Sequence, residues 1–268
     1  MTSIRKTVVS GSFYSNDKDE LLGHIEKFNL KNIEKNELDA NEEIACVKAI
    51  ISPHAGYVYS GSTANKAYKK SAFMKPKRII VIGPSHHVYL KGASVALYDE
   101  YETPLGNIKI DLDFSKELIS KYDFLEFNVE CEFEHSTETQ APFIKHYFEN
   151  SKIVEIVYGD CSYKNLSLLI KELFLDKDNF IVISTDLSHF HNLEKAKKLD
   201  SFCLEGIKNK DIKLLGSCEA CGKIGIKAIL DVANKENMKT KLLDYCTSAD
   251  YTNDKEKVVA YTSALIGE

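Results

Sequence analysis

Short continuous apolar runs alternate along this chain with longer segments in which apolar residues recur at helical spacing. The runs that indicate strands are Val47–Ile51, Arg78–Ile82, Ile153–Val157 and Phe180–Ile183. A continuous apolar run is typical of a strand that is buried on both faces, and strands that alternate with helices form parallel or mixed sheets. We therefore predict an α/β fold over residues 1–268: a single-domain layered sandwich with a central mixed or parallel sheet flanked by helices.

The segments between these strands supply the predicted helices. The first helix is predicted over Lys18–Phe28, with Asn16 as a candidate N-cap, and residues 29–45 are polar enough to predict a surface loop. Further helices are predicted at Gly61–Lys69, Phe114–Tyr122, Ala141–Phe148, Tyr163–Leu173, Leu193–Ile207 and Lys223–Ala233, and the last strands near Lys239–Tyr245 and Val258–Leu265. No linker rich in Pro, Gly or Ser interrupts the series, which favours one domain.

The bulk composition argues against two classes of partner. The chain has 268 residues and a net charge of −5, whereas nucleic acid requires a concentrated basic surface. No apolar run approaches the roughly 20 residues of a membrane span, and the first residues lack the apolar segment of a signal peptide. We therefore expect a cytoplasmic protein that binds neither nucleic acid nor membrane. Its seven cysteines, an odd number, are expected to be free thiols.

Six of the eight histidines lie in four short segments where a predicted strand ends or a turn begins. The segments are Ser52–Tyr57, Gly83–His87, Glu134–Glu138 and Ser184–His189 with His191 close behind. One such histidine alone is more often an ordinary turn residue. Because parallel strands present their carboxyl ends at one edge of a sheet, we expect His54, His86 and His189 to meet in one polar pocket that can bind a metal ion.

Carboxylates accompany two of these histidines at a spacing of three residues. If the turn that follows Phe180–Ile183 is helical, Asp186 and His189 share one face, and the carboxylate orients the imidazole as a general base or as a metal ligand. His135 and Glu138 repeat the spacing at a predicted helix start, where Ser136 or Thr137 can cap the helix. For that pair, a capping arrangement with a solvated Glu138 is an almost equally good interpretation.

One pair of cysteines, Cys218 and Cys221, has the CxxC spacing of redox and metal sites. No second CxxC is present to complete a zinc site. The interpretation as two small residues at a helix start, with Gly222 assisting the turn, is therefore favoured. Gly-rich phosphate loops, the GxSxG elbow and the HExxH zinc motif are all absent from the sequence, which disfavours nucleotide enzymes and α/β-hydrolases.

The ordered series of motifs resembles the Memo family, whose prokaryotic members are also called AmmeMemoRadiSam system protein B. The resemblance covers residue 8 to the C-terminus and is carried by Gly11–Tyr14, Ser52–Tyr57, Gly83–His87, Thr103–Gly106, Glu134–Glu138 and Ser184–His189. It implies a fold like that of class III extradiol dioxygenases, in which two histidines and an acidic residue hold a non-haem iron.

The resemblance also implies roles for single residues. His54 and His86 match two metal ligands of the family's pocket, and Asp186 and His189 match its polar pair, with His189 at the place of a catalytic acid/base. Animal members supply a cysteine as third ligand, and an ungapped match anchored on Tyr245 and Tyr261 places Tyr251 there in this chain.

Phenolate is a weaker ligand than thiolate or carboxylate for Fe(II) or Cu(I), so the neighbouring Asp250 stays an alternative oxygen donor. Cys246 is close in sequence, but a place in the core is favoured for it. The expected metal is Fe(II), with copper or zinc as alternatives.

Two functions remain open at this point. The first is a non-haem iron or copper oxidoreductase of dioxygenase-like chemistry that acts on an unidentified small molecule. The second is a non-catalytic module that binds a peptide or phosphopeptide in the same pocket, whose other candidate residues are His87, His135, Glu138 and Tyr57. The name of the prokaryotic members further implies an AMMECR1-like protein and a radical-SAM enzyme as partners.

Overall fold

The computed structural model describes residues 2–34, 38–39 and 43–268. In these ranges the strands are β1 (Ile4–Arg5), β2 (Val47–Ser52), β3 (Arg78–Pro84), β4 (Ala93–Val95), β5 (Glu100–Tyr101), β6 (Ile108–Lys109), β7 (Leu125–Glu126), β8 (Lys152–Tyr158), β9 (Asn179–Ser184), β10 (His189–His191), β11 (Lys239–Thr247) and β12 (Val258–Gly267). The α-helices are α1 (Lys18–Glu34), α2 (Tyr57–Ser71), α3 (Leu112–Lys121), α4 (His135–Glu138), α5 (Ala141–Tyr147), α6 (Tyr163–Leu175), α7 (Leu193–Lys208), α8 (Lys223–Lys235) and α9 (Ala249–Thr252). Single 3-10 turns occur at Val129–Phe133 and Leu214–Gly216.

The main sheet is mixed and has a parallel centre. Its strands follow the order β10-β12-β2-β9-β3-β8-β4-β7, and β11 pairs with β12 away from this path. The neighbours β2, β9, β3 and β8 are parallel, whereas β12 runs antiparallel to β2. A small second sheet has the order β1-β5-β6. The predicted α/β class with a mixed sheet flanked by helices is confirmed.

Helices cover both faces of the parallel strands, which explains why most side chains of those strands are apolar on both faces. On β3, Ile79 and Val81 belong to the core shared with α1, α2 and α5, whereas Ile80 and Ile82 belong to the core shared with α6, α7 and α8. All four side chains are fully buried. Because successive side chains of a strand point to opposite faces, neither face of such a strand can be polar.

The first helix is longer than the sequence predicted. Residues 29–45 were expected to form a loop, but α1 continues to Glu34. Residues 35–37 and 40–42 of that segment lie outside the described ranges. Asn29 and Asn32 make the segment polar, yet they face α2: Asn32 Nδ2 donates to the Ser62 carbonyl (3.0 Å), and Asn65 Nδ2 donates to Asn29 Oδ1 (2.9 Å). The polar face is therefore a hydrogen-bonded helix contact.

Across the parts of the chain that the structure describes, no helix has both the length and the apolar character required to span a membrane.

Candidate metal centre

The parallel strands bring three of the predicted site segments to one edge of the sheet. In the register of β2, β9 and β3, Ser52 lies opposite Ser184 and Ile82 lies opposite Ile183. The strands thus end side by side, and the segments that leave them carry His54, Asp186 and His86. This is the sheet edge at which ligands bind in open α/β folds.

Three imidazole rings meet at this edge. The ring centroids of His54 and His86 are 5.2 Å apart, those of His54 and His135 are 5.6 Å apart, and those of His86 and His135 are 4.6 Å apart. His87 adds a fourth ring at 5.4 Å from His135. The structure therefore brings together the rings of His54, His86, His87 and His135, which come from three of the four predicted segments.

Hydrogen bonds fix the tautomer of His54. Its Nδ1 lies 2.9 Å from Ser184 Oγ, and the Ser184 hydroxyl donates its own hydrogen to the Ser136 carbonyl at 2.5 Å. Ser184 Oγ must therefore accept from Nδ1, which leaves the lone pair of His54 on Nε2. Gln140 Nε2 strengthens the arrangement because it also donates to Ser184 Oγ, at 3.0 Å.

Glu134 fixes the second ring in the same way. Its Oε1 lies 2.9 Å from His86 Nδ1 and accepts the Ser136 N–H at 2.8 Å, and its Oε2 accepts the His86 N–H at 2.6 Å. These hydrogen bonds lower the pKa of the buried Glu134 to about 2 against the opposing effect of burial. The ionised carboxylate holds the proton of His86 on Nδ1, so the lone pair of this ring is on Nε2.

Cys221 approaches His54 from the start of α8. Its Sγ lies 3.3 Å from His54 Nε2 and accepts the N–H of Asp186 at 3.2 Å. Burial, with a further contribution from the Asp186 carboxylate, raises the pKa of Cys221 to about 12. The sequence favoured a helix start over a metal or redox site for this cysteine; Cys221 does precede α8, and it also lies beside His54 in the pocket.

The other cysteine of the CxxC pair, Cys218, forms a disulfide with Cys203 of α7, 15 residues earlier in the chain. The expectation of free thiols throughout is therefore wrong for this pair, whereas Cys46, Cys131, Cys161, Cys221 and Cys246 are thiols as expected. The disulfide joins α7 to the loop that carries Cys221.

Asp186 contacts His54 through the backbone. Its Oδ1 accepts the His54 N–H at 2.8 Å, and its Oδ2 lies 4.0 Å from His54 Nε2. Burial raises the pKa of Asp186 to about 7, against the lowering effect of that N–H. Burial has the opposite effect on His54, whose pKa is well below its ordinary value because desolvation and the neighbouring rings of His86 and His135 all disfavour the imidazolium.

The turn between Asp186 and His189 differs from the predicted helical turn. Leu187 N–H donates to the Ala260 carbonyl and Ala260 N–H donates to the Ser188 carbonyl, so this segment pairs with β12, and His189 begins β10. Pairing with a neighbouring strand provides backbone partners that a helical turn would otherwise supply. Burial lowers the pKa of His189, and the charge of His86 lowers it further, as expected for a ring that faces the same pocket.

Glu138 lies behind the histidines. It is buried, and its carboxylate accepts the N–H groups of Val8 (2.8 Å) and Val9 (2.9 Å) and the Tyr14 hydroxyl (2.7 Å). Arg5 Nη1 completes its contacts at 3.2 Å. The interpretation of Glu138 as a solvated end of a capping arrangement is therefore wrong.

The cap of α4 is likewise supplied by a different residue from the one expected. Glu134 accepts the Ser136 N–H at the N-terminus of this helix, and the predicted capping residues Ser136 and Thr137 are buried within it. Thr137 Oγ1 instead donates to Glu155 Oε1, at 2.5 Å.

The predicted third-ligand candidates, Tyr251 and Asp250, make hydrogen bonds to residues outside the two ligand sets. The Tyr251 hydroxyl accepts from Lys31 Nζ at 3.1 Å, and its ring lies edge-on to that of Tyr59. Asp250 Oδ2 accepts the N–H of Thr247 at 2.7 Å, close to the start of α9. Their role as metal ligands stays a prediction.

An open cavity of about 560 Å³ adjoins the histidine cluster. The Phe13 ring, which lines it, meets the His135 ring edge-on at 5.2 Å. Tyr57 lines it too, with its hydroxyl turned inward to the Thr139 carbonyl at 2.8 Å. The remaining wall comes from the Gly11–Asn16 turn and from one face of α1.

Among the residues that the structure describes, two groups have the geometry to hold a metal ion. The inner set is His54, His86 and Cys221, and the outer set is His86, Glu134 and His135; within each set the ligand atoms lie no more than 4.8 Å from one another. Two imidazoles with a thiolate suit Fe(II), Cu(I) and Zn(II). The His54 and His86 lone pairs on Nε2 fit such an ion.

The fold and the site together define a mixed α/β protein with a histidine-rich, potential metal-binding pocket at the carboxyl ends of its parallel strands. A family profile described as Memo-like protein matches residues 5–265. The chain belongs to the Memo-like family.

Curated relatives support the same assignment over the full length. A MEMO1 family protein of Methanobrevibacter smithii is 33% identical, with 98% of this chain and 99% of the relative covered. MEMO1 family proteins of Nitrosopumilus maritimus (33% identical, 96% and 98% covered) and Aquifex aeolicus (32% identical, 98% and 98% covered) are similar to the same extent.

Proposed function

We propose that this protein binds a single iron or copper ion through His54, His86 and Cys221, and that it uses this centre in an oxidoreductase reaction of dioxygenase-like chemistry on a small molecule. The observation that carries the proposal is the position of Cys221, whose sulfur is 3.3 Å from the free lone pair on His54 Nε2. Zinc is the alternative ion for the same donors.

The surroundings of the donors support the metal assignment. Each imidazole has a buried hydrogen-bond acceptor on Nδ1, Ser184 for His54 and Glu134 for His86, which is the outer-shell arrangement that fixes ligand histidines. A bound iron or copper ion would supply redox and Lewis-acid chemistry.

The neighbouring acid supports a reaction that moves protons. Burial raises the pKa of Asp186 to about 7, so this carboxyl group can accept or release a proton near neutral pH. His189, with its lowered pKa, is neutral at the same pH and can accept a proton. We assign both residues to proton transfer at a substrate bound beside the metal.

Metal analysis tests the proposal. Protein that carries His135→Ala, so that the outer set is incomplete, is purified without a histidine tag and reconstituted anaerobically with Fe(II). It is expected to retain about one ion per chain, and addition of Cys221→Ser is expected to remove that ion. Cys161→Ser is the matched control, because Cys161 is also a free cysteine with a raised pKa but is outside both ligand sets. Retention of iron by Cys221→Ser would contradict the role of this cysteine.

Two further variants separate the alternatives at the third position. If Tyr251→Phe loses iron and Cys221→Ser retains it, the phenol is the third ligand instead. Oxygen consumption by the iron-loaded protein with catechol-type substrates then tests turnover, and an iron-loaded protein that reacts with none of them would contradict the dioxygenase-like part of the proposal.

The aromatic cavity favours one second candidate, a module that binds a peptide or phosphopeptide beside the histidines. Phe13, Tyr14, Phe28 and Tyr57 all line it, and Lys27 offers a positive charge at its rim. Binding of a phosphotyrosine peptide to the metal-free protein, lost in Phe13→Ala and Lys27→Ala, would support this function.

A further inference from the structure

The outer set lies nearer to solvent than the inner one. The His86 and His135 side chains are 29% and 16% exposed, compared with 2% for His54. His87, which follows His86 in sequence and contacts the His135 ring, is also exposed. An ion can therefore reach the outer set without passing the buried ring of His54.

The spacing of the outer donor atoms matches a metal ion. Glu134 Oε1 is 2.9 Å from His86 Nδ1 and 3.3 Å from His135 Nδ1, and His87 Nε2 is 3.3 Å from that same His135 nitrogen. Two ligand atoms that are each roughly 2.0–2.1 Å from a tetrahedral ion lie about 3.3 Å apart. The exposed His87, in contact with His135, is the nearest available fourth imidazole.

We propose that His86, Glu134 and His135, completed by His87, form a second cation site that takes a divalent ion of the zinc class. The set has three imidazoles, one carboxylate and no sulfur, which suits borderline divalent ions better than Cu(I). The site uses neither His54 nor Cys221, so it goes beyond the proposed function and does not depend on it.

The shared residue determines how the two sets are related. His86 now donates its Nδ1 hydrogen to Glu134. An outer ion on Nδ1 takes the place of that hydrogen, which moves to Nε2 of the same neutral ring. His86 therefore serves one set at a time, and its own chemistry links the two sites.

Cobalt(II) is the probe that separates the two sites. A thiolate ligand gives bound cobalt an intense charge-transfer absorption, whereas nitrogen and oxygen ligands give only weak ligand-field bands. The His54→Ala/Cys221→Ser double variant, which lacks two inner donors, is expected to bind one cobalt ion per chain without the charge-transfer absorption.

Removal of the outer donors completes the test. Adding His87→Ala and His135→Ala to the double variant is expected to weaken cobalt binding by about 100-fold or more, since loss of even an outer-shell partner costs about 10–100-fold. His24→Ala with His146→Ala in the same background is the matched control, because neither residue belongs to either ligand set. Circular dichroism and thermal unfolding confirm that each variant is folded.

The outcomes distinguish this inference from the proposed function. If the folded double variant binds no cobalt, or if binding survives the loss of His87 and His135, the outer site is refuted. If the double variant binds cobalt but the wild-type protein never shows the thiolate absorption, the inner site fails and the outer site stands.

Discussion

Glu138→Gln is expected to destabilise the protein by about 3–5 kcal/mol, the usual loss when one member of a buried ion pair is removed. Glu138 is fully buried and pairs with the fully buried Arg5 at 3.2 Å. It also accepts the N–H groups of Val8 and Val9 and the hydroxyl of Tyr14. Glutamine removes the charge and turns an NH₂ group toward these donors, and each buried donor left unpaired costs about 1–3 kcal/mol.

The chain contains a matched control for this substitution. Glu102 also receives a lysine ammonium and a backbone N–H of the same N-terminal segment, from Lys6 at 2.8 Å and Thr7 at 3.3 Å. Its ion pair is solvated, however, with the Lys6 and Glu102 side chains 63% and 34% exposed. Glu102→Gln is therefore expected to cost less than about 1 kcal/mol.

Urea unfolding of both variants gives the two free energies of unfolding at once. Amide hydrogen exchange adds a local measure, since Val8 and Val9 should exchange much faster in Glu138→Gln. The reasoning is refuted if Glu138→Gln and Glu102→Gln lose equal stability, because burial is then not what makes the Glu138 pair important.

Three further outcomes are expected. Ser184→Ala removes the acceptor on His54 Nδ1. It should lower the affinity of the inner set for cobalt by about 10-fold to 100-fold, measured by titration of the thiolate absorption. Cys203→Ser removes the disulfide to Cys218 and should cost about 3 kcal/mol in urea unfolding, with wild type in reductant matching the variant. Burial raises the pKa of Asp200, so the folded protein binds its proton more tightly than the unfolded chain. The contribution of Asp200 to stability therefore rises as the pH falls from that raised pKa toward the ordinary value, and the difference in free energy of unfolding between the wild type and Asp200→Asn should change accordingly in pH-dependent unfolding.

The fold was predictable because its central strands carry an unambiguous signal. A strand such as β3, covered by helices on both faces, carries a continuous apolar run from Ile79 to Ile82, and that run is visible without any knowledge of its neighbours. The extension of α1 to Glu34 was not predictable in this way. Its polar residues resemble a loop until the partner helix α2 is known, because Asn29 and Asn32 are satisfied by contacts to distant residues.

The site residues that follow strand ends could be predicted from the sequence, whereas those that lie in loops could not. His54 and His86 follow parallel strands, so their convergence was a consequence of the predicted sheet. Glu134 was overlooked because the spacing argument favoured Glu138, although the adjacent carboxylate is the one that reaches His86. Cys221 had only the CxxC spacing as a signal, and nothing in the sequence linked it to His54, which is 167 residues away.

Three neighbours of Cys221 hold its segment against the metal centre. Cys218 is fastened by the disulfide, and Glu219 lies 2.8 Å from His191 Nε2 through its carboxylate. Gly222 N–H donates to Thr185 Oγ1 at 2.9 Å. These contacts bring the loop so close to the end of β9 that its position leaves no room for larger residues.

Gly222→Ala is therefore expected to displace Cys221 from His54. A Cβ at position 222 would lie 2.4 Å from Thr185 Cβ and 2.7 Å from the Ser184 carbonyl oxygen, so the backbone of the loop has to move. Gly216→Ala is the control, because a Cβ there meets nothing within 4 Å. The thiolate absorption of the cobalt protein should be weakened or lost in Gly222→Ala and unchanged in Gly216→Ala. An unchanged absorption in both variants would mean that the close approach of this loop does not position the sulfur.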